Sequence, residues 1–274
     1  MRRDTSRRIF RFMHIALTIA GSDSGGGAGI QADLKTFQRF GIFGTSAITA
    51  ITAQNTLGVS RWEPVSAELV RAQIDSVYED LPPSAFKTGM LATAANALAV
   101  AEAIDAHSLA NYVLDPVMVA SSGDVLFERD TIDVIRTELV SRAFLVTPNI
   151  HEAEILVGEK IYDEDGMARA AETIVSEMGA QAVLLKGGHL NGGERVVDIL
   201  YDGNVRAFRG QRLETTSTHG TGCTLSAAIT AQLAKGESLH AAVRRSIQYV
   251  HNAIATAPGL GSGHGPLNHL AEDS

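Results

Sequence analysis

Apolar residues recur in short runs along the chain, and the runs alternate between strand-like and helix-like spacing. His14 to Ala20 is an apolar run closed by Gly21, which predicts a buried strand. The stretch Gly21-Ser22-Asp23-Ser24-Gly25-Gly26-Gly27-Ala28-Gly29 has the composition of a loop. Ile30, Leu34, Phe37 and Phe40 then follow helical spacing, with Gly41 as a stop. Thr45 to Ala53 predicts a second strand, Ser66 to Leu81 a helix before Pro82-Pro83, and Ala85 to Thr88 a short strand closed by Gly89. Helix is expected over Thr93 to His107 and strand over Tyr112 to Asp115.

The second half repeats the alternation. Helices are expected over Glu128 to Val140, Asn149 to Val157 and Asp165 to Met178, and strands over Ala143 to Thr147 and Ala182 to Lys186. Val196 to Tyr201 and Val205 to Gly210 flank Asp202-Gly203-Asn204, a hairpin signal that departs from strict alternation and fits an antiparallel edge. Cys223 to Ala234 and Ser238 to Ala257 predict two closing helices. Such alternation implies an α/β fold with a mostly parallel central sheet and helices on both faces. No linker, repeat or low-complexity block interrupts it, so residues 13–270 read as a single domain. Residues 1–12 carry five arginines without a long apolar centre and read as a disordered leader rather than a secretory signal.

Composition narrows the function classes. Of 274 residues, 45% are hydrophobic, enough for a large core. The net charge of -8, with no broad basic field, argues against nucleic acid as a partner. No apolar stretch approaches the ~18 residues of a bilayer span, which argues against a membrane. A single cysteine cannot form an internal disulfide, which fits a reducing cytoplasm.

The segment from Thr216 to Cys223 carries the strongest chemistry. Gly220 and Gly222 permit a tight turn with inward amides, and a helix is expected to start on it. A helix start gathers unfilled N–H donors and the positive end of the peptide dipoles, which suits a phosphate. Cys223 sits there, and a helix start and nearby cations favour thiolate. The set suggests phosphoryl transfer with Gly220, Thr221 and Gly222 as anion hole and Cys223 as proton acceptor. Asp23, Gln54, Asp115, Asn149, Glu152 and Lys186 all fall at expected C-terminal strand ends, where open α/β sheets bind ligands. Each also has a plainer reading: Asp23 and Asn149 suit helix caps, and Asp115 suits a turn before Pro116. Glu152 and Asp115 could hold Mg²⁺ directly or through its waters, and Lys186 could neutralise phosphate. His219 lies beside the anion loop. Trp62, Met90 and Phe43 could wall a flat ring. Gly27-Ala28-Gly29-Ile30-Gln31-Ala32 fits a dinucleotide fingerprint, but Ile48 to Thr56 lacks the acid that fingerprint requires. A P-loop signature is absent.

With these residues in view, the chain resembles the bacterial hydroxymethylpyrimidine/phosphomethylpyrimidine kinases of thiamine biosynthesis, in the ribokinase-like superfamily. The resemblance spans about Ile15 to Leu267. It is carried by Leu17 to Asp23 with Gly26 to Asp33, by Thr52 to Thr56, Lys87 to Leu91 and Leu114 to Met118, and by Thr147-Pro148-Asn149 with Glu152, Lys186 to His189 and His219 to Thr224. It implies a three-layer αβα ribokinase-like fold and a cytoplasmic homodimer. It implies an ATP- and Mg²⁺-dependent kinase that phosphorylates a small aminopyrimidine alcohol and then the resulting monophosphate. It implies that Gln54 hydrogen-bonds the aminopyrimidine in a pocket lined by Gly21, Asp33, Met90 and Val117. It implies that Asn149, Glu152 and Asp115 serve Mg-ATP, Glu152 and Asp115 towards the metal; Lys186 and His219 are expected with the nucleotide on their place in the chain. Cys223 falls where many ribokinase-like relatives carry a catalytic Asp. The family usually has Pro-Ser where this chain has Ser24-Gly25, which leaves this loop more flexible. Pyridoxal kinase on the same fold, and a non-catalytic pyrimidine sensor, are the alternative readings.

Overall fold

The computed structural model describes residues 13–118, 130–188, 190 and 194–272. The expected leader, the expected helix start at Glu128 and His189 of the lysine motif lie outside these residues. Nine strands form one sheet: β1 (Ile15–Ser22), β2 (Phe43–Asn55), β3 (Gly58–Pro64), β4 (Ala85–Thr88), β5 (Tyr112–Leu114), β6 (Leu145–Val146), β7 (Val183–Leu185), β8 (Arg195–Tyr201) and β9 (Val205–Gln211). Their order is β3-β2-β1-β4-β5-β6-β7-β8-β9. The six strands from β2 to β7 pair in parallel, and the edges β3, β8 and β9 are antiparallel.

Strand pleating sorts side chains to two faces, and each face has its own core. On β5, Tyr112 and Leu114 point to one cluster and Val113 to the other. Helices α2 (Ala67–Asp80), α3 (Ala94–His107), α5 (Ile150–Val157) and α6 (Glu164–Ser176) cover the first face through residues such as Ile74, Val100, Leu156 and Ile174. They share it with α4 (Thr131–Val134), which continues as a π-turn over Ile135–Leu139 and a 3-10 turn over Val140–Arg142. Helices α1 (Gly29–Arg39), α7 (Thr221–Ala234) and α8 (Leu239–Ala255) cover the second through Phe37, Ile229 and Tyr249. The result is the expected αβα sandwich.

Local sequence explains most boundaries. Ser66, Thr93, Asn149, Asp163 and Ser238 each cap a helix by accepting an amide hydrogen bond from the first turn. Among described helices of eight or more residues, only α1 and α7 start without a side-chain cap. Two expectations were incomplete. β3 was not foreseen, because its side chains are half or fully exposed and show no apolar alternation. The helix expected up to Val140 is a composite of three helical geometries rather than one regular α-helix.

Candidate active site

The two uncapped helix starts face each other where the chain passes from β1 to neighbours on both sides, a topological switch point at which open sheets bind ligands. Two loops bring them together. Gly220 adopts φ +78°, and a Cβ there would lie 1.8 Å from the Gly27 carbonyl oxygen. A Cβ on Gly27 would in turn meet the His219 ring at 2.6 Å. Only glycine lets these backbones approach so closely. Asp23 fastens the same junction. Its carboxylate accepts amide hydrogen bonds from Gly25, Gly27 and Ala28 at 2.7–3.0 Å and faces His219 Nε2 at 2.8 Å. Burial pushes the Asp23 carboxyl up, but these donors outweigh burial and hold it below the usual range. Asp23 does not cap α1 as expected; its carboxylate instead holds the glycine loop that leads into the helix.

His219 was grouped with the nucleotide residues, yet it lies beside Gln54, with Gln54 Nε2 3.4 Å from His219 Nε2. A short contact with a carboxylate calls for an N–H on His219 Nε2. That nitrogen therefore cannot also accept from Gln54, and the Gln54 amide remains a donor available to a ligand. Ser24 anchors the strand end by exchanging hydrogen bonds with the Gln54 backbone, both at 2.8 Å. A shallow groove of about 600 Å³ runs from Ser24 and Gln54 along the β2–β3 turn. Gly21, Met90 and Val117, expected to line the acceptor pocket, lie close together. Met90 and Val117 share a small apolar cluster with Trp62, and the Met90 sulfur lies 3.0 Å from where a Gly21 Cβ would be. Phe43 does not join them; it opens β2 opposite Ile15 and is half exposed.

Asp33 and Lys87 are both fully buried. Asp33 Oδ1 accepts from Lys87 Nζ at 3.0 Å, and Oδ2 accepts from Thr18 Oγ1 at 2.6 Å. The Asp33 carboxylate, expected among the pocket-lining groups, is thus occupied by protein partners. Burial favours neutral Lys87, but the Asp33 charge, with Cys223 and Asp115 nearby, outweighs it and raises the lysine's proton affinity. The sequence offered Lys87 only as the first residue of the Lys87 to Leu91 motif, with no role assigned to it.

Asp115 follows β5 and is also buried. Its oxygens accept from Lys186 Nζ at 3.0 Å, Thr147 Oγ1 at 3.2 Å and Ser226 Oγ on α7 at 3.2 Å. Burial raises this carboxyl, and Lys186 and Lys87 together bring it below its ordinary value. Lys186 Nζ also lies 4.0 Å from Glu152. Asn149 and Glu152 form a reciprocal capping box on α5, at 2.8 and 2.9 Å, so the cap reading of Asn149 holds. Burial pushes Glu152 up to about 7 against the attraction of Lys186.

Helix α7 lays its first turn over this charged floor. A Cβ on Gly222 would be 3.2 Å from Lys186 Nζ and 3.8 Å from Asp115. The Thr221 amide donates to the Thr218 carbonyl at 3.3 Å, whereas the next amides of the turn, at Gly222 and Cys223, have no intrahelical acceptor. Thr221, Gly222 and Cys223 are half exposed, so the turn opens to solvent. Cys223 was expected to lean towards thiolate. Instead burial pushes its thiol up to about 11, with Asp115 and Asp33 adding to burial and Lys87 and the Gly29 amide opposing it.

The family profile described as phosphomethylpyrimidine kinase matches residues 23–268. The hydroxymethylpyrimidine/phosphomethylpyrimidine kinase of Bacillus subtilis (strain 168) is 49% identical, covering 93% of this chain and 94% of its own. That of Rhizobium meliloti (strain 1021) is 52% identical, covering 93% and 97%. An ADP complex of Bacillus subtilis pyridoxal kinase superposes with a TM-score of 0.87 at 38% identity, over 94% of this chain and 98% of that one.

Removing one partner of a buried ion pair strands the other charge at a cost of about 3–5 kcal/mol, whereas replacing both is far milder. Lys87→Met is therefore expected to lower stability to urea strongly, and Lys87→Met with Asp33→Leu to recover most of the loss; a tolerated single variant would show that the pair is not balanced as described. Cys223 is the only cysteine, so its titration can be read directly. Its alkylation by iodoacetamide is expected to rise about tenfold per pH unit above neutrality, levelling off only near about 11. A plateau near neutral pH would contradict the buried-thiol assignment.

Proposed function

The chain belongs to the phosphomethylpyrimidine kinase family, and we propose that it transfers the terminal phosphoryl group of ATP to the hydroxymethyl oxygen of 4-amino-5-hydroxymethyl-2-methylpyrimidine. In a second round the resulting monophosphate accepts another phosphoryl group, giving the diphosphate used in thiamine biosynthesis. The observation that carries this reading is the uncapped start of α7 lying over the Asp115–Lys186 pair. Phosphoryl transfer asks the protein for positioning and charge compensation more than for covalent chemistry. The amides from Gly220 to Cys223 would meet the negative charge of the moving group, and Lys186 would neutralise the phosphates, with Asn149 beside it.

On the acceptor side, Gln54 donates from its amide to the aminopyrimidine, and Gly21, Met90 and Val117 supply the apolar wall. His219, held by Asp23, presents the edge of the anion loop to the same side. Cys223 aligns the attacking hydroxyl, and its thiolate form takes the proton as that oxygen bonds to phosphorus. The thiol is mostly protonated at neutral pH, so only its minor thiolate fraction supplies the base. The donor set fits Mg²⁺. Among the described residues no three acidic, imidazole or thiol groups converge into a protein cage, and Mg²⁺ characteristically keeps waters and takes one or two carboxylates with substrate phosphates. Glu152 and Asp115 are the carboxylates that would hold it, and bound there it would offset phosphate charge. The lone thiol fits a reducing cytoplasm, and the resemblance supports a homodimer.

A second reading, pyridoxal as an alternative acceptor, is favoured by the close superposition on a pyridoxal kinase. Side-by-side kcat/KM values for the pyrimidine alcohol and pyridoxal decide between them; the pyrimidine alcohol is expected to be preferred, and a reversed preference would reassign the substrate. Cys223→Ala is expected to keep the fold and lower kcat by about 10²–10⁴, and Gln54→Ala to raise the pyrimidine KM more than that of ATP. Wild-type turnover in the first, or equal KM effects in the second, would remove those residues from their roles.

A further inference from the structure

After α8 the chain runs back across the acceptor side of the site and touches the loops that build it. Gly263 donates to Thr56 Oγ1 at 3.4 Å, and His264 donates its amide to the Thr56 carbonyl at 2.8 Å. Thr56 lies two residues beyond Gln54. The approach is close enough that a Cβ on Gly263 would sit 2.1 Å from the Thr56 carbonyl oxygen. Two residues later the same strand of chain reaches the other loop. The His219 amide donates to the Gly265 carbonyl at 3.1 Å, and His219 pairs with Pro266 in a parallel bridge. A Cβ on Gly27 would meet Pro266 at 3.2 Å. Beyond that the chain is anchored. Leu267 and Ala271 are buried in the core, the His269 ring meets Thr224 of α7 at 3.2 Å, and the His269 carbonyl accepts from Tyr249.

Gln54 and His219 stand on different elements; among the described residues no backbone hydrogen bond joins them, and the neighbours Ser24 and Asp23 reach them only through side chains. The segment Gly263–Pro266 grips both: one end holds the β2–β3 turn next to Gln54, the other holds His219 itself. Such a tie keeps two binding groups in one geometry before the ligand arrives, which spares the ordering cost on binding. We infer that residues 261–267 form a positioning strap that sets the Gln54–His219 spacing and thereby the affinity for the phosphoryl acceptor. The strap touches neither Lys186 nor Glu152 in any contact described above, so its influence falls on the acceptor and not on the nucleotide. This inference rests on the reading that Gln54 and His219 face the acceptor.

Gly263→Val tests it by forcing the strap off Thr56. Gly259→Asn is the control, because Gly259 has a positive φ that Asn tolerates and open space around it. Gly263→Val is expected to raise the pyrimidine KM by about tenfold or more, leave the ATP KM and melting temperature near wild type, and speed hydrogen exchange at the His264 and His219 amides. The control is expected to change none of these. Faster exchange at His219 with an unchanged pyrimidine KM, or equal rises in both KM values, would overturn the strap's role. Unaltered exchange would overturn the clamp itself. Should Gly263→Val fold poorly, His264→Pro deletes the hydrogen bond to the Thr56 carbonyl without adding bulk at Gly263, and the same readouts apply. A wild-type chain that phosphorylates neither vitamin precursor would refute the kinase reading, while the exchange measurement would still decide whether the strap couples Thr56 to His219.

Discussion

Buried charge is tolerated only when each ion finds its opposite, and this condition organises the centre of the molecule. Asp33 on α1 balances Lys87 on β4, and Asp115 after β5 balances Lys186 after β7. Glu152 on α5 sits 4.0 Å further along, and Ser226 of α7 reaches Asp115 from above. Six elements therefore have to meet in register before any of these groups is compensated. The parallel strands deliver them at one edge because each ends with its polar residue at the same level of the sheet. The cost of misplacing any one of them makes the floor of the site rigid, and a rigid floor is what charge compensation in phosphoryl transfer needs.

Above that floor the construction relies on what is missing. α1 and α7 lack the side-chain caps that the other long helices carry. Glycines at 27 and 220 let their loops touch backbone to backbone, so the two helix starts converge without side chains between them. A hydroxyl or carboxamide cap on α7 would occupy the donors that a phosphate requires. The same crowding explains the thiol. Burial has the largest effect on the Cys223 thiol and pushes it up; Asp115 and Asp33 add to that, and Lys87 and the Gly29 amide oppose it.

Much of this was legible in the chain. Strand and helix alternation gave the layers, because each element buries one face with a clear period. Gln54, Asp115, Asn149 and Lys186 were found because a polar residue closing an apolar strand has an obvious place to be. The motifs around Gly220 marked the glycine turn on which α7 starts. What stayed hidden depends on contacts distant in sequence. β3 owes its place to pairing with β2 rather than to its own pattern. The role of Lys87 depends on Asp33 of α1, 54 residues away in the sequence. The thiol's protonation follows from burial and from Asp115 and Asp33, which are distant in sequence. The return of the chain past Thr56 and His219 has no periodicity at all, only glycines whose spacing makes sense once their neighbours are known.

The two margins of the sheet have a consequence for the protein in solution. β3 exposes Arg61 and Glu63 and ends on Pro64, which has no amide hydrogen to offer. β9 exposes Arg206 and Arg209, engaged with Asp202 and Glu164. Charged side chains and proline along outer strands discourage another chain from adding its own strand there. A nine-stranded sheet with bare margins would invite lateral growth by strand addition; the charges and the proline at these two margins oppose it.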